Sequence, residues 1–146
     1  MQIGDLLRQK GHEVITVPAT ATAYEAMGKL VEHRIGSVVV VDETGFPVGI
    51  ITERDFLRLS YEHGEKLRGM KVAEVMTRDL LVAIPSDTLE YAMSVMTTNR
   101  LRHLPIVSGR QLVGIISIGD VVKALLEETE ATNRYLKDYI SGTYPV

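Results

Sequence analysis

The sequence predicts an α+β protein made of two copies of one strand–helix–strand–strand–helix unit. Three observations predict it. The stretch VGIITERDF at 48–56 returns as VGIISIGDV at 113–121. The flanks match as well: EHRIGSVVVVDETGFPVGIITERDF (32–56) lies over TNRLRHLPIVSGRQLVGIISIGDV (98–121), one residue shorter in its turn. Upstream, AYEAMGKLVEHR matches EYAMSVMTTNR, and VITVPATAT matches LLVAIPSDT. The repeat spans roughly 12–60 and 77–127, a duplicated pair rather than a longer array.

Each copy opens with a short apolar run, 14–17 and 81–84, which reads as a strand stopped by Pro18 or Pro85. A helix follows. Thr22 with Glu25, and Asp87 with Glu90, have the form of capping pairs at its start. Ala26, Met27, Leu30 and Val31 share one helical face, as do Leu89, Ala92, Met93 and Met96. Next comes a hairpin: SVVVVD turns at ETG into PVGII, and HLPIV turns at SGR into LVGII. The last helix begins at Thr52 or Ser117. Its apolar face is Phe56, Leu57 and Leu59, or Val121, Val122, Leu125 and Leu126. Residues 61–76 are expected to link the copies, and 128–146 to form a tail with a short helix docking through Tyr135, Leu136 and Tyr139.

Composition narrows the function. The chain has 146 residues, and a half that size is marginal alone, so two halves gain by burying a shared face. Sixteen Lys and Arg against nineteen Asp and Glu give a net charge of -3, which argues against nucleic acid or an anionic membrane as the main partner. Without cysteine there is no disulfide framework, thiolate metal site or cysteine nucleophile. No apolar run is long enough to span a membrane and MQIGDLLRQK lacks a secretory signal pattern, so a cytoplasmic location is expected. The histidines at 12, 33, 63 and 103 show no metal-ligand spacing, so no metal is expected. Arg8, Lys10, Lys66, Arg68 and Lys71 read as a solvated face.

The repeated stretch supports two readings. A hydroxyl residue followed three positions later by Asp, before an apolar helix, is close to a capping box. The same atoms also suit a ligand. Helix N-termini favour phosphate, a carboxylate accepts from two neighbouring sugar hydroxyls, and Gly49 and Gly114 would allow close approach to the strand.

These motifs, with RIGSVVVVDETG, RLRHLPIVSG and VAEVMTRDLLVAIP, give the chain a resemblance to tandem CBS domains, the pair called a Bateman module. It covers nearly all of the sequence. The resemblance implies two small sheets packed about a pseudo-twofold axis, with two clefts for adenosine nucleotides. One cleft would use Ser117, Asp120 and Ile115 with Val14, Ile15 and Ile35; the other would use Thr52, Asp55 and Ile50 with Thr77, Leu81, Val82 and Leu101. Arg102 and His103 are expected to hold phosphate in the Ser117/Asp120 cleft. Gly36 and Ser37 stand at the equivalent place in the first copy, where Arg54 would compensate. The implied function is regulatory and non-catalytic: binding of AMP first, or of ADP, ATP or S-adenosylmethionine, shifts the relative orientation of the two CBS domains and is passed to a regulated protein, and the chain is expected to form a homodimer. An interaction scaffold with vestigial clefts and a small nucleotide-processing enzyme are the alternatives.

Overall fold

The computed structural model describes residues 1–141, without the side chains of Tyr135, Leu136 and 138–141, so the expected docking stripe at Tyr135, Leu136 and Tyr139 lies outside the described residues. The elements in order are α1 (Ile3–Lys10), β1 (Thr16–Pro18), α2 (Ala23–His33), β2 (Ser37–Val41), β3 (Pro47–Thr52), α3 (Glu53–His63), α4 (Val72–Val75), α5 (Leu89–Thr98), β4 (His103–Ser108), β5 (Gln111–Ser117) and α6 (Ile118–Ser141). A 3-10 turn at Gly64–Gly69 joins α3 to α4. The mixed α+β architecture with two small sheets is the one the repeat predicts.

Each hairpin forms where two apolar runs flank a polar turn. In the first turn the Asp42 carboxylate accepts hydrogen bonds from Thr44 N at 2.9 Å and Phe46 N at 3.0 Å, which folds the chain back locally. β2 and β3 pair antiparallel, and β1 adds in parallel to β2, giving the order β1-β2-β3. β4 and β5 pair antiparallel as a sheet of two. Both hairpins carry a register irregularity at the same place in the repeat, Val40/Val41 and Ile106/Val107.

The strand expected at 81–84 shrinks to a single parallel bridge between Ala83 and Ile106. The reason is Pro105. In the first half Val39 N donates to Ile15 O at 3.4 Å, which prolongs the pairing toward the N-terminus. Pro105 stands where Val39 does and has no N–H, so the ladder stops at Ala83, whose N and O bond Pro105 O and Val107 N. The expected cap of α5 also moves by one residue. Asp87 closes a turn by accepting from Ile84 N at 3.0 Å, and Thr88 caps α5 by accepting from Tyr91 N at 3.0 Å. Thr22 and Glu25 form a reciprocal capping box on α2.

Two hydrophobic cores result, and the chain crosses between them. The first gathers Ala26, Leu30, Val38, Val40, Ile51, Phe56 and Leu59 with Leu67, Val72 and Val75, so residues expected to be linker are core. The second gathers Leu89, Ala92, Met96, Leu104, Ile106, Ile116 and Val121 with Ile3, Leu6 and Leu7 of α1. The N-terminal helix therefore packs with the second copy. Its start is tied there by Ile3 N to Asp87 O and Gly4 N to Pro85 O, both 2.8 Å. The sequence carries a trace of this arrangement: MQIGDLL (1–7) lies over MKVAEVM (70–76), so α1 serves the second half as α4 serves the first. Val31 and Leu57, expected on buried faces, are 76% and 75% exposed, because the core-facing arcs of α2 and α3 are narrower than the apolar pattern.

The crossing explains the glycines of the repeated motif. Gly114 lies under Leu7, where an added Cβ would come within 2.6 Å of Leu7 Cδ2. Gly49 lies under Met76, where it would come within 2.8 Å of Met76 Cγ. Both glycines thus admit a side chain of the packed N-terminal helix or of the residue just after α4, in place of the ligand approach expected of them. Gly114→Ala is expected to destabilise the protein by about 1–3 kcal/mol through overpacking. Urea unfolding checks this, and the same change should cost measurably less in a Leu7→Ala background, where the obstructing methyls are gone.

Candidate functional site

The two Ser/Thr–Asp motifs are capping boxes. Thr52 Oγ1 accepts from Asp55 N at 3.1 Å and Asp55 Oδ2 accepts from Thr52 N at 2.9 Å. Ser117 Oγ accepts from Asp120 N at 3.1 Å and Asp120 Oδ2 accepts from Ser117 N at 2.8 Å. The cap engages only one oxygen of each carboxylate. Among the described residues no hydrogen bond reaches Oδ1 of Asp55 or Asp120, so capping leaves an acceptor over for a ligand at both helix starts.

Thr52 and Asp55 open onto a cleft of about 520 Å³ at the seam between the halves. That volume lies in the range usual for small-molecule sites, roughly 300–1,000 Å³. The first half contributes Gly36, Ile50, Thr52, Glu53, Arg54, Asp55 and Leu57; Thr77, Arg100, Leu101, Arg102 and His103 complete the lining. Eight sequence-predicted residues meet here: Ile50, Thr52, Arg54, Asp55, Thr77, Leu101, Arg102 and His103. Thr77 is held by the chain itself, exchanging backbone hydrogen bonds of 3.0 and 3.1 Å with Ile50. Leu81 and Val82, expected in the same cleft, precede the Ala83 bridge at 41% and 39% exposure and are not among its lining residues.

Arg102 and His103 were expected beside Ser117 and Asp120. The backbone agrees: Ile118 N donates to Arg102 O at 2.8 Å, and His103 sits opposite Ser117 in the β4–β5 ladder. The cleft does not, because both residues line the Thr52/Asp55 side. His103 reaches across the seam to Gly36, where an added Cβ would lie 3.3 Å from its Nε2. Burial, then the charge of Lys10, depress its affinity for a proton, and nearby Asp120 and Glu53 offset this only partly. Its Nδ1 is buried without a hydrogen-bond partner among the described residues. His103 is therefore neutral near pH 7 and supplies no fixed positive charge.

The Ser117/Asp120 side is closed differently. Lys10, read from the sequence as a solvated cation, places Nζ 2.5 Å from Asp120 Oδ2 and 2.7 Å from Ile115 O. Burial raises the Asp120 carboxyl, and the hydrogen bonds from Lys10 and Ser117 outweigh it, so the group stays below the usual carboxylate range. A ring nitrogen of His12 lies 3.1 Å from Val113 O. Side chains thus serve the β5 edge where the Thr77 backbone serves β3. Ten residues separate Leu7 from Pro18 and eight separate Met76 from Pro85, a two-residue difference that lets the N-terminal segment stand off. Val14 and Ile15 are half-buried before and at the edge of β1, and Ile35 lines a hollow beside α2 and α3 with Met27, Leu30 and Phe56.

Arg100 was missed by sequence reasoning. It ends α5 in the left-handed region at φ 55°, as Arg34 does after α2 at φ 54°. The triplet RLR, 100–102, carried the signal in its alternation of two cations about a leucine.

A family model for the CBS domain matches residues 3–62 and 72–127. The chain belongs to the CBS-domain family. This tandem CBS chain is 35% identical to the mitochondrial CBS domain-containing protein CBSX3 of Arabidopsis thaliana, over 97% of its own length and 73% of that protein. Its fold is similar to the CBS-domain protein ATU1752 of Agrobacterium tumefaciens, with TM-score 0.81, 40% identity, and coverage of 85% and 98% of the two chains. It is also similar to the CBS domain protein PAE2072 of Pyrobaculum aerophilum complexed with AMP, with TM-score 0.74, 26% identity, and coverage of 82% and 89%. Among the described residues no helix of the CBS pair is long and apolar enough to cross a membrane.

The depressed His103 sets a pH dependence. Because the folded imidazole binds its proton less readily than the unfolded one, its contribution to stability is complete above the unfolded pKa of about 6.5. That contribution is lost as pH falls from there through the lower folded value. His103→Gln is expected to flatten stability against pH below about 6.5, read by urea unfolding across that window. An unchanged slope would remove His103 as its source.

Proposed function

We propose that this CBS pair is a regulatory module that binds an adenine nucleotide in the Thr52/Asp55 cleft and signals by the relative orientation of its halves. One observation carries the reading: the cleft draws Thr52 and Asp55 from one copy and Leu101 and Arg102 from the other. A ligand held by both copies stabilises one mutual orientation by its differential affinity, which is what a sensor requires. Asp55 Oδ1 accepts from ribose hydroxyls. The α3 N-terminus and nearby arginines attract phosphate, and Ile50 and Leu101 offer apolar surface to a base. The AMP complex of the Pyrobaculum relative supports an adenosine ligand. No catalytic step is assigned to the cleft.

The test is calorimetry with adenosine nucleotides on the folded chain and on Asp55→Ala. Loss of the charged acceptor is expected to weaken binding by about 1.5–3 kcal/mol. Equal affinity in the variant would leave Asp55 as a helix cap and favour a scaffold with vestigial clefts.

The proposal extends to a homodimer. Leu57 and Tyr61 on α3, and Val122 and Leu126 on α6, are 75%, 93%, 42% and 58% exposed, and such apolar helix faces support self-association. Sedimentation at micromolar concentration is expected to show twice the chain mass; a monomer there removes this part of the reading.

A further inference from the structure

The two clefts of a duplicated pair begin from the same parts, so their differences show what one has been adapted to hold. Arg54 in TERD has Gly119 as its counterpart in SIGD, and Arg102 in RLRH has Gly36 as its counterpart in RIGS. The chain crossing brings Arg54 of the first copy and Arg102 of the second into one cleft, joined by Arg100. The Ser117/Asp120 motif keeps glycine at position 119, and its carboxylate already holds Lys10. Two independent positions of the repeat thus place arginine on the same side of the seam.

These guanidinium groups are uncommitted. Among the described residues Arg54, Arg100 and Arg102 form no ion pair, whereas Arg58 beside them pairs with Glu62 at 3.2 Å. The two acids of the cleft, Glu53 and Asp55, form no ion pair with them among the described residues; Asp55 has Arg58 at 3.9 Å instead, and three arginines against two carboxylates leave the lining net positive. His103 is neutral, so the positive charge of the cleft is arginine and is fixed at every physiological pH. A monophosphate can be held by one bidentate guanidinium with the α3 N-terminus. Three guanidinium groups exceed that need and match a phosphate chain.

We propose that the Thr52/Asp55 cleft recognises an adenosine 5′-pyrophosphate group, as in ADP, ATP or a dinucleotide, in preference to a monophosphate. This rests on the adenine-nucleotide reading above and departs from the AMP preference drawn from the sequence.

The test is isothermal titration of the full chain with adenosine, AMP, ADP, ATP and NAD at constant ionic strength, repeated on Arg54→Ala, Arg102→Ala and Arg110→Ala. Arg110 sits in the β4–β5 turn and removes the same unit of charge away from the cleft. ADP is expected to bind about 10-fold or more tightly than AMP, the equivalent of one further charge-assisted hydrogen bond. Arg54→Ala and Arg102→Ala should each shrink the ADP-to-AMP ratio about 10-fold while leaving adenosine unaffected; Arg110→Ala should leave the ratio intact. ADP and ATP above NAD identify a free nucleotide, and NAD at or above ADP identifies a dinucleotide. AMP binding as tightly as ADP, ATP and NAD overturns the proposal and leaves the nucleotide reading standing. A ratio that falls equally in Arg110→Ala also overturns it, as general charge attraction. Failure of every adenosine compound to bind sinks both readings.

Discussion

The architecture depends on one exchanged contact, made twice. Leu7 in the middle of α1 lies over Gly114, and Met76 just after α4 lies over Gly49. A side chain reaches a strand this closely only where the strand residue has none of its own. The first of these contacts carries the N-terminus of the chain into the core of the second copy, where Ile3 and Leu7 are fully buried. Neither half then completes its hydrophobic core from its own repeat alone. The seam between the halves is a consequence of this interlock, and the candidate cleft lies on that seam.

The Ser/Thr–Asp motif serves fold and site with the same atoms. Each capping box satisfies helix N–H groups that would otherwise lack partners, and each uses a single carboxylate oxygen. The remaining oxygen accepts no hydrogen bond among the described residues, and that of Asp55 has the Arg58 guanidinium 3.9 Å away. Capping therefore positions the acceptor without consuming it. This is why the structural and the ligand-binding readings of one short motif do not exclude each other.

The duplication is symmetric in backbone and asymmetric in charge. Ile50 O is bonded by the Thr77 backbone, and Ile115 O by the Lys10 ammonium. One carboxylate is bound by lysine, while the cleft of the other is lined by Arg54, Arg100 and Arg102. Equivalent pockets in a repeat can diverge by such side-chain changes at little cost to the fold, because the altered positions lie outside both cores.

The local elements were legible in the sequence because their causes are local. The run of four valines at 38–41, turn-forming Asp42, the Thr22–Glu25 cap and the repeat itself placed hairpins and helices near their observed positions, and the motif residues Thr52 and Asp55 stood out for the same reason. The shortened strand at Ala83 was also written locally, in the missing N–H of Pro105, but its effect appears only once the pairing partner is known. The match of 1–7 to 70–76 marks α1 and α4 as one repeated element, but only tertiary structure decided which copy receives each, because an amphipathic helix fits any core that offers a matching groove. It alone decided that Gly49 and Gly114 face Met76 and Leu7. It also decided the company of Arg102, whose backbone stays with its own copy while the residue lines the cleft of the other, since the seam that joins them is made by residues far apart in the chain.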